Sequence, residues 1–210
     1  MMSVSAERSP YHHGNLREAL LDRAERKLEV AGVQGLSLRE LARELGVSHG
    51  APRPHFLDKQ ALLDALAARG LERLGVALDE SLSEAEGSFT DRLEIFAATY
   101  VEFATRRPAM LKLIFARKEQ PDAVALRAAN DRAFAAPKAL IATARVTGEI
   151  DSDDPDRTAM AVLATLHGLA SLVTNGMLGD RKIEAVVSGT IHTLVEGLRP
   201  RRRMRHRKRA

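Results

Sequence analysis

The sequence predicts an all-α protein, with a three-helix N-terminal head and a larger C-terminal domain of six helices. Three observations lead to this fold class. The helix-favouring residues Ala, Leu, Arg and Glu dominate, apolar residues recur at three- and four-residue spacing, and no convincing stretch alternates β-branched residues as a half-buried strand does. The 210 residues, 45% of them hydrophobic, suffice for one domain or for a small domain fused to a larger one.

Two amphipathic helices are predicted at the start of the chain. The first begins at Asn15, which can cap it together with Glu18, and its apolar stripe is Leu20, Ala24, Leu28 and Ala31. The second begins at Ser37, with Glu40 as the partner of a capping box. Gly46 then follows the helix as a residue able to adopt a positive φ.

A third short helix is expected to begin at Ser48, only two residues after Gly46. Two short helices joined by a glycine-containing turn form a helix-turn-helix, which projects the start of its second helix into the DNA major groove. This chain has Pro52 and Pro54 in that helix. Pro54 should remove a hydrogen bond and crowd the carbonyl of Gly50, so the helix is expected to be short, bent or partly 3₁₀ and to alter or weaken DNA reading.

Six further helices are predicted in the C-terminal domain. Their approximate ranges are 59–85, 91–106, 108–115, 122–144, 155–173 and 183–198. Asp58 caps the first of them, Pro137 is a candidate kink, and Asp154-Pro155 begins the eighth helix of the chain. The eighth helix is apolar nearly all round from 159 to 173, which predicts burial on all sides.

The last two helices are more apolar than a monomer of this size needs, and we interpret them as a dimer interface rather than as simple core packing. The residues expected there are Leu163, Leu166, Val173, Ile183, Val187, Ile191 and Leu194.

The stretch SLRELARELGVSHGAPRPHFLDKQALLDAL, residues 37–66, resembles the DNA-binding region of the TetR family of repressors. The matching positions include His55-Phe56, Lys59 and Leu62-Leu63. Residues 165–168 (Thr-Leu-His-Gly) resemble the Trp-His-Gly element of one C-terminal subgroup, with Leu166 in the tryptophan position. The resemblance implies a homodimer that binds a palindromic operator and releases it when a small molecule enters the C-terminal domain. We therefore expect a cytoplasmic transcriptional regulator, and repression is the commoner behaviour in the family.

The resemblance also indicates which residues meet DNA. Ser37 and Ser48 start helices, where hydroxyls and free N–H groups suit phosphate oxygens, although either serine can serve as a cap alone. Arg53 can bridge guanine O6 and N7, and Lys59 can anchor a phosphate. The full set expected at the DNA is Ser37, Arg39, Ser48, His49, Gly50, Ala51, Arg53, His55 and Lys59.

A ligand pocket is implied among the C-terminal helices. Its candidate wall residues are Phe96, Tyr100, Phe103, Met110, Phe115, Phe134 and His167, each of which can equally be plain core. Tyr100 and His167 stand out because a polar group on an apolar face must find a partner. A hydrogen bond from His167 to a backbone carbonyl would satisfy it without any ligand.

The charge of the chain is unevenly distributed. Residues 199–210 carry eight basic and no acidic side chains, and subtracting them from the net +4 leaves −4 for residues 1–198. Residues 1–60 carry +1, so residues 61–198 carry −5. Three parts are predicted: an arm and head (1–58), a ligand-binding and dimerisation domain (59–198), and a disordered basic tail (199–210) that can attract phosphates.

Several classes of function are disfavoured. The chain has no cysteine, no Gly-rich phosphate loop, and neither an H-E-x-x-H nor a G-x-S-x-G motif, so we expect no enzyme, no metal site and no cofactor. No apolar run approaches 18 residues, so no membrane contact is expected. The alternative to a regulator is a dimeric module that binds a small molecule or a protein and has weakened sequence-specific DNA reading.

Overall fold

A computed structural model of the chain describes residues 16–118 and 124–199, and within these ranges it is all-helical, which confirms the predicted fold class. The helices are α1 (Leu16–Ala31), α2 (Leu38–Glu44), α3 (Lys59–Ser83), α4 (Phe89–Arg106), α5 (Pro108–Lys118), α6 (Val124–Ala133), α7 (Ala135–Val146), α8 (Pro155–Thr174) and α9 (Ile183–Leu198), with a 3₁₀ turn at Val33–Gly35. The Asn15 cap, the N-terminal arm and the basic tail beyond Arg199 lie outside the described residues.

The described residues divide into two compact units, the first ending at Leu66 and the second beginning at Ala67. The first unit holds α1, α2 and the start of α3 around a buried core that includes Leu20, Leu28, Leu41 and Phe56. In the second unit α4 is central, because it contacts α5, α7, α8 and α9. The apolar side of α4 supplies the large buried side chains Phe96 and Tyr100.

Most helix starts follow the capping residues in the sequence. Asp58 accepts a hydrogen bond from the Ala61 N–H (2.9 Å), and Asp154 accepts one from the Arg157 N–H (3.1 Å), as predicted. The expectation that α4 begins near Asp91 was wrong by two residues. Ser88 caps this helix in a capping box in which Asp91 bonds back to the Ser88 N–H, so α4 begins at Phe89.

The helix predicted over 122–144 is two helices in the described part of this range, α6 and α7, with a turn at Phe134 between them. Pro137 lies in the first turn of α7, where its missing N–H costs no helical bond. A continuous helix would instead bring the proline ring against the carbonyl of Ala133. The helix is therefore interrupted at Phe134, three residues before the proline, rather than kinked at the proline.

The prediction that α8 is buried on all sides was wrong. Its inward face carries Val162, Leu166 and Leu169, whereas Met160 is 64% exposed and Leu172 is 40% exposed. By length and composition α8 is the one helix of the described residues that could also cross a membrane, and 28% of its most apolar window is buried within the chain. Much of this apolar helix therefore faces outward in the single chain.

Candidate nucleic-acid interface and ligand cavities

An ion-pair cluster joins α1 to α2 in the first unit. The ammonium of Lys27 lies 2.8 Å from a carboxylate oxygen of Glu40 and 2.8 Å from one of Glu44. The Nε of Arg23 lies 2.5 Å from the other oxygen of Glu44. Because Glu40 turns towards Lys27, the predicted capping box with Ser37 is absent, and the Ser37 side chain makes no capping hydrogen bond.

The cluster makes the stability of the first unit depend on pH. Hydrogen bonds from Lys27 and Arg23 lower the pKa of Glu44 from 4.5 to about 2. A depressed carboxyl pKa contributes stability that is complete above the unfolded value and is lost as the pH falls towards the folded value. The loss is therefore expected between about pH 4.5 and about pH 2.

We expect Glu44→Gln to be less stable than the native chain at pH 7 and to approach it as the pH falls from 4.5 to 2. The amide cannot accept the paired charges of Lys27 and Arg23, and acid removes the same interactions from the native chain. Urea unfolding followed by circular dichroism across this pH range measures the difference. Glu18→Gln, which removes an exposed carboxylate next to Arg17, is the control, and equal pH profiles for Glu44→Gln and the native chain would contradict the prediction.

The reading segment, residues 48–56, is a series of tight turns rather than the predicted short helix. Neither Pro52 nor Pro54 has an N–H to donate, and the residues around them bond to carbonyls three positions back. These bonds, of 3.0–3.1 Å, run from the N–H of Ala51 to Ser48, of Arg53 to Gly50 and of His55 to Pro52. These three bonds are of the 3₁₀ type, whereas the N–H of Phe56 bonds to the carbonyl of Pro52 four residues back (2.9 Å). The expectation of a distorted element therefore holds, and that of a regular α-helix does not.

Two apolar residues fix the reading segment to the first unit. Pro52 is buried, and Phe56 is 2% exposed with the guanidinium of Arg17 5.5 Å from its ring centroid. Gly46 precedes the segment with a φ of 70°, as its place after α2 predicted, and the N–H of Val47 then bonds to the carbonyl of Ala42. The segment is thus anchored on one side and free on the other.

None of the residues expected at the DNA is buried. Ala51 and Lys59 are half-buried, and the other seven are exposed: Ser37, Arg39, Ser48, His49, Gly50, Arg53 and His55. The first unit therefore presents hydroxyl, imidazole and guanidinium groups to solvent, while most of its large apolar residues are buried; Val30 and Leu57 are exposed. These are the groups that bind phosphates and base edges.

A cavity of about 370 Å³ lies in the second unit, between α4, α6, α7 and α8. Of the predicted ligand residues, only Phe96 and Phe134 line it. The sequence interpretation missed its other walls, which are Asn130, Asp131, Pro137, Lys138, Ile141, Asp156, Ala159, Met160, Val162 and Leu163. No motif marks these residues, because helix packing brings them together from four separate elements.

Tyr100 and His167 contact each other. The Tyr100 hydroxyl and Nδ1 of His167 are 3.3 Å apart, and the His167 ring lies 4.5 Å from the Phe115 ring. Burial raises the pKa of Tyr100, so its hydroxyl stays protonated. The expected backbone partner of His167 is thus replaced by a side chain, and His167 lines a small cavity of about 70 Å³.

Met110 and Phe103 lie on neither of these two cavities. Met110 is 1% exposed, and its sulfur would lie 2.7 Å from a Cβ placed on Gly70, so it fills the space beside that glycine in α3. Phe103 is half-buried, with the guanidinium of Arg107 6.0 Å from its ring centroid.

The predicted dimer residues divide into two groups. The side chains of Leu166, Val187 and Ile191 are buried in the chain's own core, which corrects their assignment to an outward face. The remainder are half-buried or exposed: Leu163, Val173, Ile183 and Leu194.

The outward faces of both helices carry exposed small residues among larger ones. Those of α8 are Ala161, Ala164, Gly168 and Ser171, and those of α9 are Ala185, Gly189, Thr193 and Gly197. A Cβ added at Gly168 or Gly189 would meet nothing within 4 Å. These faces leave room for another helix to approach closely.

Two family models match the sequence, one in each unit. Residues 20–66 match the model of bacterial regulatory proteins of the TetR family, and residues 93–194 match that of the tetracycline repressor-like C-terminal domain. Tetracycline repressor protein class D of Escherichia coli is 42% identical over 57 residues, which make up 27% of this chain and 26% of that protein. The chain thus spans about a quarter of the length of this curated relative.

Solved structures match both units. A protein of unknown function from Rhodococcus sp. RHA1 is 42% identical with a TM-score of 0.85, and the match covers 91% of this chain and all of that one. The TetR family transcriptional regulator PfmR from Thermus thermophilus shares the fold at 21% identity, with a TM-score of 0.66 over 86% of this chain and 99% of that one. The Trp-His-Gly subgroup stays a prediction. The two family models cover most of the chain in the expected order, and the chain belongs to the TetR family of bacterial transcriptional regulators.

Proposed function

We propose that the chain is a cytoplasmic, homodimeric repressor that binds a palindromic operator through its first unit and releases it when a small molecule occupies the second. The observation that carries this proposal is the division of the reading segment. Pro52 and Phe56 are buried, while Arg53 and His55 are exposed. A surface built this way offers polar groups to DNA without exposing its core.

Dimerisation and ligand binding, the two roles proposed for the second unit, are supported by different observations. The outward faces of α8 and α9 carry small and apolar residues, which suits the close helix packing of a symmetric dimer. The cavity between α4, α6, α7 and α8 has the size of a small-molecule site. Division of the chain near residue 58 into a DNA-binding and a ligand-binding part remains part of the proposal.

A binding experiment across a salt series tests the proposal. The full chain and a variant ending at Leu198 are titrated with the upstream region of the protein's own gene and with an unrelated duplex of equal length. We expect both proteins to prefer the upstream region. Removal of the eight basic charges of residues 199–210 should weaken binding to both duplexes alike and reduce the slope of log K against log salt. If preference is absent and all binding vanishes with the tail, operator recognition is refuted.

A second candidate function has one observation in its favour. The turns of the reading segment replace the helix that would enter the major groove, which supports a dimeric ligand- or protein-binding module with weakened sequence reading. Equal affinity of the variant ending at Leu198 for both duplexes would favour this second function.

A further inference from the structure

We propose that the ligand of the cavity between α4, α6, α7 and α8 is an amphipathic cation, that is, an amine or quaternary ammonium attached to an apolar body. This inference rests on the proposed function and names the chemical class of its effector. The cavity's apolar walls, its aromatic rings and the charges at its rim each contribute to the argument.

The interior of the cavity is apolar. Ile141 and Val162 are 1–2% exposed, and Phe96 and Phe134 are buried, with ring centroids 6.5 and 6.4 Å from the ring centroid of Tyr100. A volume of about 370 Å³ bounded by such side chains takes up an aliphatic or aromatic body from water.

The rim of the cavity is acidic. Asp131 on α6 and Asp156 in the first turn of α8 are exposed lining residues from different helices. Within the part of the chain that the structure describes, neither carboxylate has an ion-pair or hydrogen-bond partner. The exposed Lys138 also lines the rim, so the three side chains together carry one net negative charge at neutral pH.

The balance of these groups favours a cation over an anion. An anion could pair with Lys138 only, with two carboxylates opposing it, whereas a cation meets two carboxylates and one opposing charge. Phe96 and Phe134 line the same cavity, and aromatic rings attract a cation that meets their faces but offer nothing comparable to an anion.

The test uses three probes with one decyl chain and different heads: decyltrimethylammonium, decanoate and decanol. Each is titrated by calorimetry, below its micelle concentration, into the full chain and into the double variant Asp131→Asn/Asp156→Asn. We expect decyltrimethylammonium to bind tightest, and the double variant to lose about three- to thirtyfold of that affinity while binding decanol unchanged. The matched control is Glu102→Gln/Glu184→Gln, which removes two carboxylates from the separate groove between α4 and α9.

Two results would overturn the ligand class: decanoate binding as tightly as the cation, or the cation binding the double variant as tightly as the native chain. Release of the upstream DNA is measured with the same probes. If the cation binds through Asp131 and Asp156 and the DNA stays bound, the ligand class stands and the proposed release mechanism is refuted. If decanoate alone binds and releases the DNA, the proposed function stands and the ligand class is refuted.

Discussion

Gly189→Arg is expected to convert the proposed dimer into a monomer and to weaken binding to the proposed operator by about a hundredfold or more. Gly189 lies in the row of small residues on the outward face of α9, where a Cβ would meet nothing within 4 Å in the single chain. A second copy packed on this face would have to bury the arginine charge without a partner. A monomer binds only one half-site. It therefore loses the gain in affinity, of roughly 10²–10⁴-fold, that a dimer obtains by binding both half-sites at once.

The substitution is expected to prevent assembly of the dimer without impairing the folding of the single chain. Arginine has a higher helix propensity than glycine by roughly 0.8 kcal/mol, so α9 of the single chain should not be weakened. Sedimentation equilibrium gives the oligomeric state, and titration with the upstream duplex gives the affinity. Ala139→Arg, which places the same charge on the exposed side of α7, should leave both unchanged. A Gly189→Arg protein that remains dimeric would refute this placement of the interface.

Pro54→Ala is expected to raise affinity for the upstream region by about tenfold or more. The new N–H can donate to the carbonyl of Gly50, which in the native chain accepts from the N–H of Arg53 three residues on. An interior proline costs a helix roughly 3 kcal/mol, so its removal lets the reading segment take up a helix at less cost. Because Pro54 is exposed, the substitution opens no hole in the core.

Chemical shifts of the reading segment, measured with and without the duplex, show whether a helix forms. Pro108→Ala at the first position of α5 is the control, because a proline there blocks no helical hydrogen bond and lies in the second unit. Unchanged affinity and unchanged preference between duplexes would show that Pro54 does not limit operator reading. A fall in affinity would show that the turns themselves are the DNA-binding conformation.

Local chemistry predicted most of the fold. Asp58, Gly46 and Asp154-Pro155 each set a helix boundary through bonds to their immediate neighbours, and such bonds can be inferred from a few residues of sequence. Prediction failed where a residue distant in sequence provides a stronger interaction than the immediate neighbours. Glu40 does not form the predicted capping box because its carboxylate pairs with the ammonium of Lys27 on another helix.

The site could be predicted only in part, for a similar reason. The residues expected at the DNA occupy one continuous stretch with a recognisable pattern, and the structure exposes most of them. The cavity has no such stretch, since Asp131, Lys138 and Asp156 come from three helices. An aromatic residue in a sequence gives no sign of whether it fills the core, as Tyr100 does, or borders a void, as Phe134 does.

The turns between His49 and His55 also affect how the reading segment can contact a groove. Their 3₁₀-type bonds come from the N–H groups of Ala51, Arg53 and His55, and the prolines between these residues have no N–H that could join the turns into a helix. Side chains of the segment therefore lack the regular three- and four-residue alignment of an α-helix. Contacts from this segment to bases are expected to follow the positions of the separate turns, so the half-site that this chain prefers should differ in spacing from one read by an α-helix.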